Sequence, residues 1–286
     1  MADSKSTIPN ENLSRVRSLI GSADSFRAQG QYSQAELLYK EALALAKSVF
    51  GPDHLHVCAP LNNLAVLYKY TGNFDEAERL YRRALHIIEA GLGTDHPSAA
   101  TIYHNLGGLE HARGNFAKGE PFARRSVEIR EKALGPDHVD VAADVAALAA
   151  ILDGEKKFEE SEPLYHRVLA IFEQAYGPEH YEIAINLNNL AALKNAKGET
   201  VEAEHLYRRA LEMKEKLLGT DHPDVAMTLN NLAVLLKKQE RFEEAASMYE
   251  RALAIFEKTL DSHHPKIKAC QANYAGLQRK MKRPAD

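Results

Sequence analysis

The sequence predicts an all-α fold, a solenoid of six helical hairpins followed by a C-terminal capping helix. A short turn motif begins at Gly51 and recurs every 42 residues, ending in a degenerate copy at Asp261. Between the turns, apolar residues follow the i, i+3, i+4, i+7 spacing of amphipathic helices, and no segment shows the alternation of a strand. A fixed period of this length indicates a repeat architecture, in which each unit packs mainly against its neighbours.

This period sets the expected organisation of the chain. It divides the sequence into six units, at residues 10–51, 52–93, 94–135, 136–177, 178–219 and 220–261. Residues 1–9 lack apolar spacing and are expected to form a disordered tail. Residues 262–286 are expected to form the capping helix and a short tail, because a terminal repeat needs a polar outer face.

The second unit shows how each hairpin is predicted to form. Its first helix carries Leu61, Leu64, Ala65 and Tyr68 on one face, and its second carries Ala77, Leu80, Tyr81, Ala84, Leu85 and Ile88. Gly72 lies in the turn between them, and Gly93 is placed to end the second helix. Asp95 and Pro97 then suit the start of the next helix.

The third unit departs most from this pattern. Glu110, Gly119 and Ala123 replace the second unit's Tyr68, Ala77 and Tyr81. One hypothesis is that this unit packs loosely and acts as a flexure point. The alternative is that Pro121, like Pro163 in the fourth unit, only marks a helix start.

The composition excludes several functional classes. The 286 residues carry a formal net charge of −4, which gives no general attraction to nucleic acid or an anionic membrane. No apolar run approaches the roughly 18 residues of a membrane helix, and the N-terminus lacks the apolar core of a secretory signal. Cys58 and Cys270 are expected to stay reduced, which favours a cytoplasmic protein.

The repeat itself resembles a known family. Leu61-Asn62-Asn63-Leu64-Ala65, followed by Tyr68, Gly72, Phe74, Ala77, Tyr81 and Ala84, resembles the tetratricopeptide repeat. The 42-residue length, the Ala77–Leu85 stretch and the G-x-D-H-P turn are similar to the variant of kinesin light chains and related proteins. The resemblance implies a right-handed solenoid with a peptide-binding groove. Only a dozen polar residues precede the first unit, so the long coiled coil of a kinesin light chain, and its motor role, are not expected.

Recurring asparagines are the first candidate site residues. Opposite the apolar stripe of the second unit lie Ala59, Asn63, Val66 and Tyr70, which in this family line the concave groove. Asparagine recurs at one slot of this face, at Asn63, Asn105, Asn189, Asn231 and Asn273. A carboxamide has both a donor and an acceptor, and the resemblance implies that these side chains hold the backbone of an extended ligand. Two alternatives are bonds between neighbouring repeats and a relic of duplication.

Basic residues are the second candidate feature. Arg17, Lys69 and Lys238 are predicted to contact the ligand, and Arg27, Lys237, Arg279 and Lys280 lie on or beside the same face. Only Asp24 and Asp153 oppose them, so an acidic peptide is expected to bind. In the fourth unit Ala146 and Ala147 replace the asparagine, and this stretch is predicted to accept an apolar anchor side chain.

No catalytic or metal-binding pattern was found. Six of the 13 histidines recur once per unit in the inter-repeat turns, at His54, His96, His138, His180, His222 and His264, and a structural role is expected for them. P-loop, GxGxxG, HExxH and GxSxG motifs are missing, so neither an enzyme nor a cofactor is predicted. The sequence therefore favours a non-catalytic adaptor or scaffold with a protein or peptide partner.

Two other functions were weighed. A structural module that assembles end to end or as a dimer is the main alternative, because it would not need the groove. Binding of single-stranded RNA would require base-stacking side chains and a strong basic stripe, and the groove face offers one aromatic residue, Tyr70.

Overall fold

The computed structural model describes the backbone of residues 4–260 and 264–282, and side chains from residue 11 onward within those ranges. The chain divides into two compact units, Met1–Lys156 and Lys157–Asp286, called unit 1 and unit 2 below. This division falls inside the fourth predicted repeat. The degenerate turn at Asp261 and the tail from residue 283 lie outside the described residues.

The described residues form helices and no strands, as the sequence predicted. Unit 1 contains a short 3-10 turn at Leu55–Val57 and seven α-helices, α1 Ser4–Ala28, α2 Tyr32–Phe50, α3 Cys58–Tyr70, α4 Phe74–Leu92, α5 Pro97–Ala112, α6 Phe116–Leu134 and α7 Val139–Gly154. Unit 2 contains α8 Phe158–Tyr176, α9 Tyr181–Lys197, α10 Thr200–Leu218, α11 Pro223–Lys238, α12 Phe242–Thr259 and α13 Pro265–Met281.

Small residues set the distance between the helices of a hairpin. Ala65 of α3 and Ala77 of α4 are both fully buried, and Tyr81 fills the space beside them. The same residue types recur at these slots in other repeats, so a larger side chain at Ala65 would overpack the interface and cost about 1–3 kcal/mol.

The third repeat is closely packed, contrary to one expectation. A Cβ added at Gly119 of α6 would lie 3.1 Å from the Gly107 carbonyl oxygen of α5, so the two glycines permit a close backbone approach. Glu110 is only 4% exposed and pairs with Arg113 at 2.6 Å. The hypothesis of loose packing is therefore wrong at this interface, and flexure at the repeat stays a prediction.

The two prolines do not mark helix starts. Pro121 and Pro163 lie inside α6 and α8, in each case five residues after the first helical residue. A non-proline residue there would donate an intrahelical hydrogen bond, which proline cannot do. Each proline therefore removes one bond from its helix.

Histidine caps the first helix of each hairpin after the first. Nδ1 of His96 accepts a hydrogen bond from the Ser98 N–H at 3.1 Å. The five equivalent histidines accept in the same way from the residue two positions on, over 3.1–3.3 Å. The structural role expected for these histidines is confirmed, but the N-cap before Pro97 is His96 and not the acidic Asp95.

A recurring glutamate near the start of the second helix joins successive repeats. In unit 1, Glu78 of α4 accepts from Arg113, just beyond α5, at 2.6 Å. In unit 2, Glu162 of α8 pairs with Lys194 of α9 at 2.6 Å, and Glu204 of α10 pairs with Arg241 at 2.7 Å. The Arg113 guanidinium lowers the pKa of Glu78 the most, so this carboxylate stays ionised in the folded repeat.

The ends of the chain differ in how well they match the sequence prediction. α13 forms the expected capping helix, with Gln271 where the second repeat has Leu61, and with Ala275 exposed. The disordered tail predicted for residues 1–9 is wrong from Ser4 onward, since α1 begins there. Continuing an existing helix needs no new nucleus, so weakly patterned residues can extend it.

Candidate peptide-binding face

The helix face that the sequence assigned to the groove is accessible. This groove face consists of Ala59, Asn63, Val66 and Tyr70 in α3 and the equivalent residues of the other first helices. Ala59 is exposed and Tyr70 is 62% exposed, whereas Leu61 and Leu64 are at most 3% exposed. All five predicted asparagines are half-buried, as is Lys69, while Arg17 and Lys238 are exposed.

In unit 1 two repeats are joined through their carboxamides. Asn105 Nδ2 of α5 donates to Asn62 Oδ1 of α3 at 2.7 Å, and Asn62 Nδ2 donates to Asn63 Oδ1 at 3.0 Å. This series leaves Asn63 Nδ2 without an acceptor and Asn105 Oδ1 without a donor among the described residues. One free donor and one free acceptor therefore remain on the groove face.

Unit 2 contains a longer series of the same kind. Asn273 Nδ2 of α13 donates to Asn230 Oδ1 of α11 at 3.1 Å, and Asn230 Nδ2 donates to Asn231 Oδ1 at 3.4 Å. Asn231 Nδ2 in turn donates to Asn188 Oδ1 of α9 at 3.4 Å. Asn189 is outside the series.

The structure thus shows inter-repeat bonding for three predicted ligand contacts, Asn105, Asn231 and Asn273. Bonding between repeats and contact with a ligand are compatible, since each series leaves free polar groups. The sequence signal for this role was the asparagine doublet, because the partners Asn62, Asn188 and Asn230 each precede a predicted site residue.

An open apolar pocket of about 340 Å³ lies between α3, α4 and α5 in unit 1. Its apolar lining includes Leu55, Ala59, Ile88, Leu92 and Ile102, and Asn62, Asn63 and Thr101 contribute polar groups. The sequence had placed an apolar anchor site at Ala146–Ala147. The pocket lies instead between the second and third repeats, where two isoleucines are contributed by adjacent helices.

Cys58 also lines this pocket but is not an activated nucleophile. Burial raises the pKa of its thiol to about 11. Burial likewise raises the pKa of Cys270, in unit 2, to about 11, and both cysteines are free.

A buried ionic network occupies the equivalent position one repeat later, between α6 and α7. Arg130 stands at the slot of Ile88 and Asp144 at the slot of Ile102. Arg130 Nε donates to Asp144 Oδ2 at 2.5 Å, and His104 Nδ1 lies 2.7 Å from Asp144 Oδ1. Asp144 is 2% exposed, so this carboxylate depends on the two partners for its stabilisation. The sequence analysis overlooked Asp144, although a charge at an otherwise apolar slot could have indicated it.

The cations of the groove face in unit 1 have partners. Arg27 pairs with Asp24 at 3.2 Å, and Lys69 Nζ lies 5.6 Å from the centre of the Tyr70 ring. Burial, followed by the charge of Arg27, lowers the pKa of Lys69. Arg17 lies apart from this group.

In unit 2, Lys238 Nζ donates to Asn195 Oδ1 at 2.9 Å. This predicted contact residue therefore joins α11 to α9 while keeping its charge at the surface.

Other kinds of site were also sought. Within residues 11–260 and 264–282, no group of three or more histidine, cysteine, aspartate or glutamate side chains could hold a metal ion. None of the described helices has the length and apolar character needed to cross a membrane.

The repeat pattern decides the family. The tetratricopeptide repeat matches overlapping segments that span most of the chain, at residues 14–90, 56–132, 98–153, 142–216, 182–258 and 224–286. The chain belongs to the tetratricopeptide repeat family. Tetratricopeptide repeat folds generally mediate protein–protein interaction or assembly, and such proteins are typically non-catalytic. A search of curated proteins found no match to this repeat protein.

Solved structures similar to this tetratricopeptide repeat protein include kinesin-light-chain-like proteins. BtubC (BKLC) from P. vanneervenii is 25% identical with a TM-score of 0.61, over 87% of this chain and 94% of that one. The nearly identical TPR-like repeats of a putative kinesin light chain from Podospora anserina are also 25% identical, with a TM-score of 0.58, over 73% and 99% of the two chains. PilW, a type IV pilus biogenesis factor, shares the fold at 17% identity and a TM-score of 0.59, over 90% and 98%.

Proposed function

We propose that this protein is a cytoplasmic, non-catalytic adaptor or scaffold that binds an extended acidic peptide on its groove face. The observation that carries the proposal is the pocket between α3, α4 and α5. It offers about 340 Å³ of apolar space beside the free Nδ2 of Asn63. An apolar cavity bordered by a few polar groups suits a ligand side chain, with the adjacent ligand backbone bonded to the carboxamide.

The acidic preference rests on the cations around this face. Lys69 is half-buried and has an aromatic ring but no described carboxylate beside it, so it can attract a ligand carboxylate. The cytoplasmic assignment rests on the two free, buried thiols, which suit a reducing compartment.

The test is selection of a displayed random peptide library on the full chain and on two matched variants. Ala59→Phe would fill the pocket from an exposed position on α3. Ala143→Phe makes the same change at the equivalent exposed position of α7 in the same unit. Extended acidic peptides with one apolar anchor should be enriched on the wild type and on Ala143→Phe, and lost on Ala59→Phe.

Other outcomes would contradict the proposal. Enrichment that is indifferent to Ala59→Phe would remove the pocket from the binding site. No enrichment, together with a molar mass that rises with protein concentration in light scattering, would favour the self-assembly module instead. A Lys69→Met variant tests the acidic preference separately, because it should weaken selection for Asp and Glu while keeping the apolar anchor.

A further inference from the structure

Four cations meet on the groove face of unit 2, at the C-terminal ends of α11 and α13. They are Lys237 and Lys238 of α11 and Arg279 and Lys280 of α13. Elsewhere in the described residues, cations of low exposure pair with carboxylates, as Arg113 does with Glu78 and Lys194 with Glu162. Lys237, Arg279 and Lys280 form no ion pair with any described carboxylate, and only Lys238 has a described hydrogen-bond acceptor.

Two of these cations converge over one glycine. A Cβ added at Gly276 would lie 2.9 Å from Lys237 Nζ and 3.8 Å from a terminal nitrogen of Arg279. The sum of those two distances is the upper limit of the separation between the nitrogens. Burial, and then the charges of Lys280 and Arg279, lower the pKa of Lys237, as expected for like charges held close together.

Unit 1 shows how the same slot is neutralised. Lys237 and Arg279 occupy the slot of Arg27 and Lys69, two cations that are accompanied by Asp24 and Tyr70. In unit 2 the slot of Asp24 holds Val234 and Gly276, and the slot of Tyr70 holds Lys238 and Lys280. Both compensating groups are therefore replaced, one of them by further positive charge.

We propose that the space over Gly276 binds a dianionic phosphate ester, carried as phosphoserine or phosphothreonine by the peptide that occupies the groove face. A carboxylate brings one negative charge, whereas a phosphoserine brings about 1.5–2 and three acceptor oxygens. Three cations around one gap match the larger charge, and the planar guanidinium of Arg279 suits two phosphate oxygens at once. This inference rests on the proposed function, because it assumes a peptide ligand.

The experiment uses one degenerate peptide library made in three forms, with phosphoserine, glutamate or serine at a fixed central position. Binding to the full chain is measured by fluorescence anisotropy. The phosphoserine form should bind at least tenfold tighter than the glutamate form. Lys237→Met should remove this difference and Lys237→Arg should keep it. Lys69→Met, the matched change in unit 1, should leave it intact.

A folding readout accompanies the binding data. Removing one of several close like charges relieves repulsion, so Lys237→Met should unfold at a higher temperature than the wild type. Lost selectivity in a more stable variant cannot be a consequence of misfolding. A lower melting temperature would show that Lys237 stabilises the fold and would count against an unneutralised cluster.

Several results would overturn the proposal. Equal affinity for the phosphoserine and glutamate forms would remove the phosphate preference. Inorganic phosphate binding as tightly as the phosphoserine library would show a free-anion site, and a single-stranded RNA that binds tighter and depends on Lys237 would assign the cluster to nucleic acid. If all three forms bind equally but are lost on Ala59→Phe, the proposed function stands and only this inference fails.

Discussion

Two junctions of unit 1 have equivalent helices but opposite interiors. Between α4 and α5, Ile88 and Ile102 line an open pocket of about 340 Å³. Between α6 and α7, the same two slots hold Arg130 and Asp144, which bond to each other and to His104. Two substitutions within a common frame therefore separate an apolar cavity from a filled ionic network.

The difference shows that function is local in a repeat array. Backbone geometry recurs because the small residues, the turns and the histidine caps recur. The residues between one second helix and the next first helix vary freely, since each junction contacts mainly its own neighbours. A binding pocket can thus form at one junction without disturbing the rest.

The largest expected effect comes from breaking the ionic junction. Asp144→Ala leaves Arg130 and His104 without their buried carboxylate, and this should cost about 3–5 kcal/mol of unfolding free energy. The measurement is urea denaturation of the full chain. Asp140→Ala, an exposed position on the same helix, is the control and should have little effect.

A double variant tests the comparison directly. Arg130→Ile with Asp144→Ile installs the α4–α5 pair at the α6–α7 junction and should recover most of the stability lost in Asp144→Ala, because buried ion pairs exchange with apolar pairs at little cost. A double variant as unstable as the single one would mean that the two junctions differ in more than these side chains.

A third junction, in unit 2, has an intermediate composition. Lys214 of α10 is 4% exposed, and its ammonium donates to Thr228 Oγ1 at 3.0 Å rather than to a carboxylate. The equivalent residues of α4 and α12 are Ile88 and Phe256. Replacing a buried, unpaired charge by an apolar side chain should stabilise the chain, so Lys214→Met is expected to gain about 1–3 kcal/mol at neutral pH.

The pH dependence provides the check on Lys214. Burial lowers the pKa of Lys214, with Asp224 opposing this effect and Lys266 adding to it. Between that lowered pKa and the ordinary value of about 10.4, the unfolded state binds more protons than the folded state, so wild-type stability rises with pH. The advantage of Lys214→Met should therefore shrink as the pH approaches 10.4. A constant difference would mean that the ammonium is not desolvated.

The sequence predicted the helices well because periodic spacing, glycine turns and the 42-residue repeat are local signals. It also identified the groove face, since Ala59 and Tyr70 are exposed and Leu61 is buried. It did not identify the pocket or the role of Asp144, because both depend on residues 14 positions apart that meet only after two helices pack. The asparagines were recognised by recurrence, but their bonding to the preceding repeat requires the distance between helices.

The smallest expected effect concerns a feature that both unit 1 junctions share. His96 caps α5 and His138 caps α7, each with Nδ1 accepting from a backbone N–H at 3.1 Å. His96→Ala and His138→Ala should each cost about 1 kcal/mol, and His→Asn at either site only a few tenths, because asparagine is a good N-cap. The measurement is thermal unfolding of the four variants. Equal costs at an apolar and an ionic junction would show that the caps belong to the common frame. A markedly larger loss at His138 would tie its cap to the Arg130–Asp144 network and weaken the separation between frame and interior.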